Sequence, residues 1–196
     1  MSGNLSEEIA VAAARMVVED GMEYGPAKRR AAKLLGLGSR EKNLPDNERL
    51  EEEVRAYLAL FCADTQPREL TVLRALALAW MERLAVFRPH PTGAVWRGAA
   101  TRRIDIGSEG YCDDSKAAEL VLIDRHVDYE VSTGTGPRGK PVDVLSVSRP
   151  SVELGERVTL HLTVLDYDDL RGALRNGGRG AQRGDLAAVR ALESVA

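Results

Sequence analysis

Apolar residues recur every three to four positions through the first half of the chain. Leu5, Ile9, Ala12, Ala13, Met16 and Val17 share one face of a helix over residues 4–19, the spacing of an amphipathic helix. Asn4 with Glu7 has the form of a capping box, and Gly21 suits the helix end. Pro26 opens a second helix to Leu35, stopped by Gly36 and Gly38, with Lys28, Arg29, Arg30 and Lys33 on its polar face. Leu50, Val54, Leu58 and Phe61 mark a third helix over residues 47–63. A fourth starts at Pro67, with Thr65 or Gln66 as its cap. It carries Leu70, Leu73, Leu76, Ala77, Trp80, Leu84 and Phe87 as its stripe and ends at Pro89 and Pro91. None of the four can bury its stripe alone, so they are expected to pack together.

After Pro89 the period shortens. Residues 94–99 and 102–107 read as short strands, and Asp114 or Ser115 caps a helix to about Arg125 with Ala118, Leu122 and Ile123 inward. Residues 127–132 and 142–147 read as strands joined by a glycine-rich turn. Residues 157–165 alternate: Val158, Leu160, Leu162 and Val164 face one way, Thr159, His161 and Thr163 the other. A short helix over residues 169–174, a glycine-rich stretch at 177–184 and a last helix ending near Glu193 complete the chain. Strands do not alternate regularly with helices, so the fold class is α+β. A helical bundle over residues 1–90 is expected to pack on a mixed α/β domain over residues 91–196. The pattern predicts four helices before residue 90, at least four strands after it, and no strand within residues 47–86.

Composition changes this picture little. The chain has 196 residues, 44% hydrophobic and 29% charged, which supports a folded core. A net charge of -3 gives no general attraction for nucleic acid and leaves room for a local basic patch. Cys62 and Cys112 are far apart and fit a thiol-reducing compartment. The start of the chain is polar and acidic, unlike a signal peptide. No apolar run reaches the roughly 20 residues that span a bilayer. A cytoplasmic protein without a membrane partner is expected.

Residues 134–140 spell a phosphate loop as far as Lys140, but Pro141 stands where Ser or Thr would hold magnesium. A β pattern then follows where a helix N-terminus should face the phosphates. The reading is a flexible hairpin loop.

The most informative segment is 96–106, where the small-residue turn Gly98-Ala99-Ala100 leads to a strand that displays Asp105 between Ile104 and Ile106. It resembles the nucleotidyltransferase superfamily of the DNA polymerase β type. There, a glycine turn receives a triphosphate and an Asp-x-Asp strand supplies magnesium ligands. Asp113, Asp114 and Lys116, Leu162 to Val164, and Asp168 to Arg171 extend the resemblance to a group of short bacterial proteins with a helical N-terminus. The chain departs from the superfamily pattern in a short gap from turn to aspartate and at three residues. Gly107 replaces the second aspartate, Ala99 stands in the turn, and His161 occupies the later strand where a carboxylate is expected.

The resemblance implies a nucleotidyltransferase-like domain that binds a nucleotide or polyanion, with weak or lost magnesium-dependent transfer from an NTP. Asp105 would hold Mg²⁺, with His161 as the second catalytic position. Gly98 and Ala99 would shape the phosphate turn, and Arg103 and Lys116 would balance phosphate charge. Asp143 or Glu109 is a candidate further oxygen ligand, since two-metal chemistry needs clustered carboxylates. The other reading of Asp105 is a solvated aspartate paired with Arg102 or Arg103, and that of His161 a hydrogen-bonded structural residue. His90 and His126 sit near helix ends. Asp166, Asp168 and Asp169 complement a helix dipole. Trp96 is the aromatic placed to line a cleft. The alternative function is a non-catalytic interaction or regulatory module of the toxin–antitoxin kind, binding a protein partner through the helical half.

Overall fold

The structure is a computed structural model and describes residues 2–37, 44–174 and 183–193. Helices α1 (Ser2–Asp20), α2 (Tyr24–Leu34), α3 (Asn47–Phe61) and α4 (Gln66–Arg83) come first, followed by a short 3₁₀ turn at Ala85–Phe87. Strand β1 (His90–Thr92), helix α5 (Gly93–Arg97), strand β2 (Ile106–Tyr111) and helix α6 (Lys116–Asp124) follow. Then come β3 (Glu130–Thr135), β4 (Pro141–Ser151), β5 (Glu156–Leu165), α7 (Tyr167–Leu174) and α8 (Leu186–Glu193). The α+β class, the four leading helices and the helix-only stretch 47–86 are as the periodicity predicts. No described helix is long and apolar enough to cross a membrane.

The chain divides into two units: residues 1–68 with 99–104, and residues 69–98 with 105–196. In the first, α1 packs against both α2 and α3. Ile9, Ala13 and Val17 from α1, Ala27, Ala31 and Ala32 from α2, and Leu50, Val54 and Leu58 from α3 are buried. Asp46 caps α3 by accepting from the Arg49 amide at 2.7 Å. The segment 99–104 belongs to this helical unit. Ala99, Ala100 and Thr101 are buried, the Ala100 carbonyl accepts from Gln66 Nε2 at 3.0 Å, and Arg103 donates to the Glu19 carbonyl at 2.9 Å. Gly21 is required here: its φ is +66°, and a Cβ would lie 2.8 Å from the Arg103 carbonyl oxygen. α1 starts at Ser2, ahead of the Asn4 expected to cap it.

The second unit holds most of α4 and a five-stranded mixed sheet in the order β1-β2-β5-β4-β3. β2 and β5 run parallel, and every other neighbouring pair is antiparallel. Alternation along β5 sorts the two faces as expected: Val158, Leu160, Leu162 and Val164 are buried. Leu145 and Val147 of β4 and Ile106 of β2 join them on that face. The loop after β3 is the hairpin expected at the phosphate-loop lookalike. The Gly136 amide donates to the Lys140 carbonyl at 2.7 Å, Gly139 has φ +71°, and β4 begins at Pro141 with no helix after the loop.

Two expected strands are corrected. Residues 93–97 form the short helix α5, whose five residues are too few to display a helical period. The strand expected over 102–107 begins only at Ile106 and runs to Tyr111. Ile104 and Asp105 therefore precede it, and Asp105 is not held between two strand isoleucines. β1 was not expected. It is an edge strand of three residues containing Pro91, a position where a missing amide donor is tolerated. The glycine-rich stretch expected at 177–184 lies mostly outside the described residues.

Candidate functional site

The face of the sheet opposite its apolar side is polar. Register places Gly107, His161, Ser146 and Glu130 in one row across β2, β5, β4 and β3. At one end this face is sealed by Tyr111, Leu165 and Leu170, with Val142 and Tyr167 packed on them. Towards the other end lies a groove of about 600 Å³. His161, Ser146, Ser148, Thr159 and Arg157 line it from β5 and β4, Asp128 and Tyr129 from the segment before β3, and Glu130 from the first position of β3.

A hydrogen-bonded chain runs through His161. Its Nε2 lies 3.1 Å from Asp105 Oδ2, and its Nδ1 lies 2.8 Å from Ser146 Oγ. An ionised carboxylate only accepts, so Nε2 carries the proton. In the neutral ring Nδ1 then accepts from the Ser146 hydroxyl, and in the charged ring it donates. Asp105 is absent from the groove lining and is joined to it through the His161 imidazole. Both partners are about half exposed, 52% and 42% by side chain, so the pair adds little to stability.

Ser, His and Asp in a row invite comparison with acyl-transfer enzymes, but the surroundings differ. Ser146 sits in mid-strand, paired on both sides to Glu130 and His161. Its neighbouring amides are committed to the sheet ladder, which leaves no pair of backbone donors for an oxyanion. The chain can bind and relay a proton, and lacks that stabilisation of a tetrahedral intermediate.

Magnesium needs several hard oxygen ligands, and the described residues do not converge that way. Among them, no three His, Cys, Asp or Glu side chains are grouped to hold a metal. Asp143 pairs with Thr133 of β3, which puts it on the face opposite His161 and Ser146. Glu109 shares the His161 face but is engaged elsewhere: it accepts from the Tyr111 hydroxyl at 2.7 Å and from Arg183 at 2.5 Å. Burial, and then Glu109, push the Tyr111 phenol well up, with Arg183 opposing. Gly107 leaves no room for the missing aspartate, because a Cβ there would lie 2.9 Å from Thr92 Oγ1.

The other expected site residues are dispersed. Gly98 is the C-cap of α5 at φ +83°. It ends a helix, where a phosphate turn would open one. Ala99 is buried in the helical unit, and the small-residue signal there reflects packing. Arg103 is held by the Glu19 carbonyl. Lys116 donates to Glu119 at 2.5 Å and lies 3.9 Å from Asp143. That interaction and the Tyr129 hydroxyl hold the Glu119 carboxyl below its usual range.

His90 Nδ1 donates to the Arg88 carbonyl at 2.7 Å, and His126 lies at the end of α6. Asp166 caps the start of α7 by accepting from the Asp168 amide at 2.8 Å, as a helix N-terminus favours. Trp96 lies over Gly184, where a Cβ would meet its ring at 2.3 Å, and Tyr129 is the aromatic that lines the groove. Cys112 is buried. Burial first, then Asp114, Asp113 and Asp166, push its thiol up, which disfavours the thiolate a nucleophile needs.

Sequence reasoning reached Asp105 and His161 and missed Ser146, Arg157, Asp128, Tyr129 and Glu130. Alternation through Val144, Ser146 and Ser148 was the available signal, but the register against β5 that brings them to His161 is a tertiary fact. Lys140 sits in the exposed hairpin loop outside this groove. Lys140→Ala is therefore expected to leave nucleotide affinity, measured by calorimetry, within about threefold of wild type, roughly 0.7 kcal/mol. A loss of about tenfold or more would place a phosphate site in the loop. No protein-family model matches this chain, and neither does any curated protein or solved structure.

Proposed function

We propose that the sheet-bearing unit is a nucleotide-binding module that works without a bound metal, with nucleotidyl transfer weak or lost. The observation that carries this is the Asp105–His161–Ser146 chain opening into a groove that offers a guanidinium and two carboxylates together. Arg157 uses Nε on the Ser148 hydroxyl at 3.2 Å and Nη2 on the Ser148 carbonyl at 3.0 Å. That fixes the plane of its fork and leaves further N–H donors for a phosphate. Asp128 and Glu130 make no ion pair among the described residues and suit ribose hydroxyls as acceptors. Both ring nitrogens of His161 are already bonded, so the pair presents the Ser146 Oγ at the groove floor.

Two carboxylates beside a single guanidinium disfavour a long polyanion, so a mononucleotide fits better than RNA or polyphosphate. Calorimetric titration with AMP, GMP, CMP and UMP in chelator tests this. Binding of at least one of them is expected with Kd of about 10–1000 µM, weakened about tenfold or more in Arg157→Ala. Absence of binding to all four, or equal binding by Arg157→Ala, would refute the proposal.

A further inference from the structure

The helical unit carries a second groove that the sheet site does not use. It measures about 870 Å³, and its apolar lining comes from Val11 and Met16 of α1, Leu34 and Leu35 at the end of α2, and Tyr57 and Phe61 of α3. Leu34 is 70% exposed, Phe61 64% and Val11 50%. Phe61 ends the α3 stripe without being buried, whereas Val11 and Leu34 lie off the buried stripes of their helices, so α1 has apolar side chains on two faces. Large apolar side chains gathered along one exposed groove mark an interaction surface.

Charge identifies the occupant. Glu7, Glu8, Glu19 and Asp20 line the same groove, against the single cation Arg15. Arg15 is spent on Glu19 at 2.8 Å, Glu7 meets Arg49 at 3.1 Å, and Asp20 lies 3.9 Å from Arg30. The Glu8 side chain makes no ion pair among the described residues. The helix that brings Leu34 to the groove also carries Arg29 and Lys33, both exposed and likewise without an ion pair among the described residues. The groove therefore holds an apolar slot with an unspent acid at its edge, and its exposed Leu34 adjoins the unspent base Lys33.

We infer that this face pairs with a second copy of the chain. In the pair, the end of α2 of each copy seats Leu34 in the other's groove and sets Lys33 against Glu8. Such a contact is self-complementary about a two-fold axis, because each copy supplies both halves.

Sedimentation velocity of the full-length protein over a concentration series up to the millimolar range tests the inference. A reversible dimer is expected. Leu34→Glu and Phe61→Glu should each raise its dissociation constant by about tenfold or more. Lys33→Glu should also weaken it, and combining Lys33→Glu with Glu8→Lys should restore it, since each exchanged charge again meets its opposite across the axis. Because all four positions are surface residues, circular dichroism should show helix content unchanged. Should either apolar variant lose helix, the charge exchange decides on its own. A wild type that stays monomeric throughout overturns the inference and leaves the groove to a different protein. A dimer indifferent to Leu34→Glu and Phe61→Glu, or a charge exchange that fails to restore association, overturns it as well.

Discussion

Gly107→Asp is expected to destabilise the protein by about 1–3 kcal/mol and to create no magnesium site. This substitution restores the second aspartate that the nucleotidyltransferase resemblance calls for. Gly107 pairs with Thr92 on the edge strand β1 and with His161 on β5. A Cβ at this position would lie 2.9 Å from Thr92 Oγ1 and 3.8 Å from the Thr92 carbonyl oxygen. Threonine is stiff at χ1, so its hydroxyl cannot swing away without cost. A carboxylate forced into this row would share it with His161, and Asp105 is already bonded to that ring. Thermal melts of Gly107→Asp, alone and with Thr92→Gly, together with magnesium titration, check this. The double variant should recover part of the loss. A Gly107→Asp protein as stable as wild type that binds magnesium would show an eroded metal site waiting for one residue.

His161→Ala is expected to cost about tenfold or more in mononucleotide affinity, roughly 1.4 kcal/mol, while shifting the melting temperature little. The side chain is half exposed, so its removal leaves no buried cavity. It is also the joint of the hydrogen-bonded chain, and without it Ser146 loses its partner at 2.8 Å and Asp105 its link to the groove. Asp105→Asn should be milder, about threefold, because the amide oxygen can still accept from Nε2 while the negative charge is gone. The two variants separate positioning from contact: a residue acting through His161 cannot cost more than His161 itself. Calorimetry on both measures the difference. An Asp105→Asn effect larger than that of His161→Ala would mean that Asp105 meets the ligand or a cation directly.

Legibility of the chain followed the length and regularity of its elements. β5 was readable residue by residue, because four β-branched or leucine side chains alternate with Thr159, His161 and Thr163. The helices α1 to α4 were readable because each spans at least three turns. β2 was not, since Ile106, Gly107, Ser108, Glu109 and Gly110 carry almost no β-forming signal. It is held as a strand by β1 on one side and β5 on the other. The small residues Ala99 and Ala100 looked like a phosphate turn, and are small because they are buried in the helical unit. Only a minor part of the candidate site was legible. Asp105 and His161 stand out against apolar neighbours, whereas Ser146 and Arg157 become meaningful only once β4 and β5 are in register.

The most direct test of metal-free nucleotide binding is one calorimetric comparison. Wild-type protein is titrated with AMP and with ATP, first in chelator and then in millimolar magnesium, with pyrophosphate release followed in parallel. The expected result is AMP affinity equal within about twofold in the two conditions, and no pyrophosphate from ATP. Binding that appears only with magnesium, or magnesium-dependent pyrophosphate release that Asp105→Asn abolishes, would contradict it and return Asp105 to the role of metal ligand.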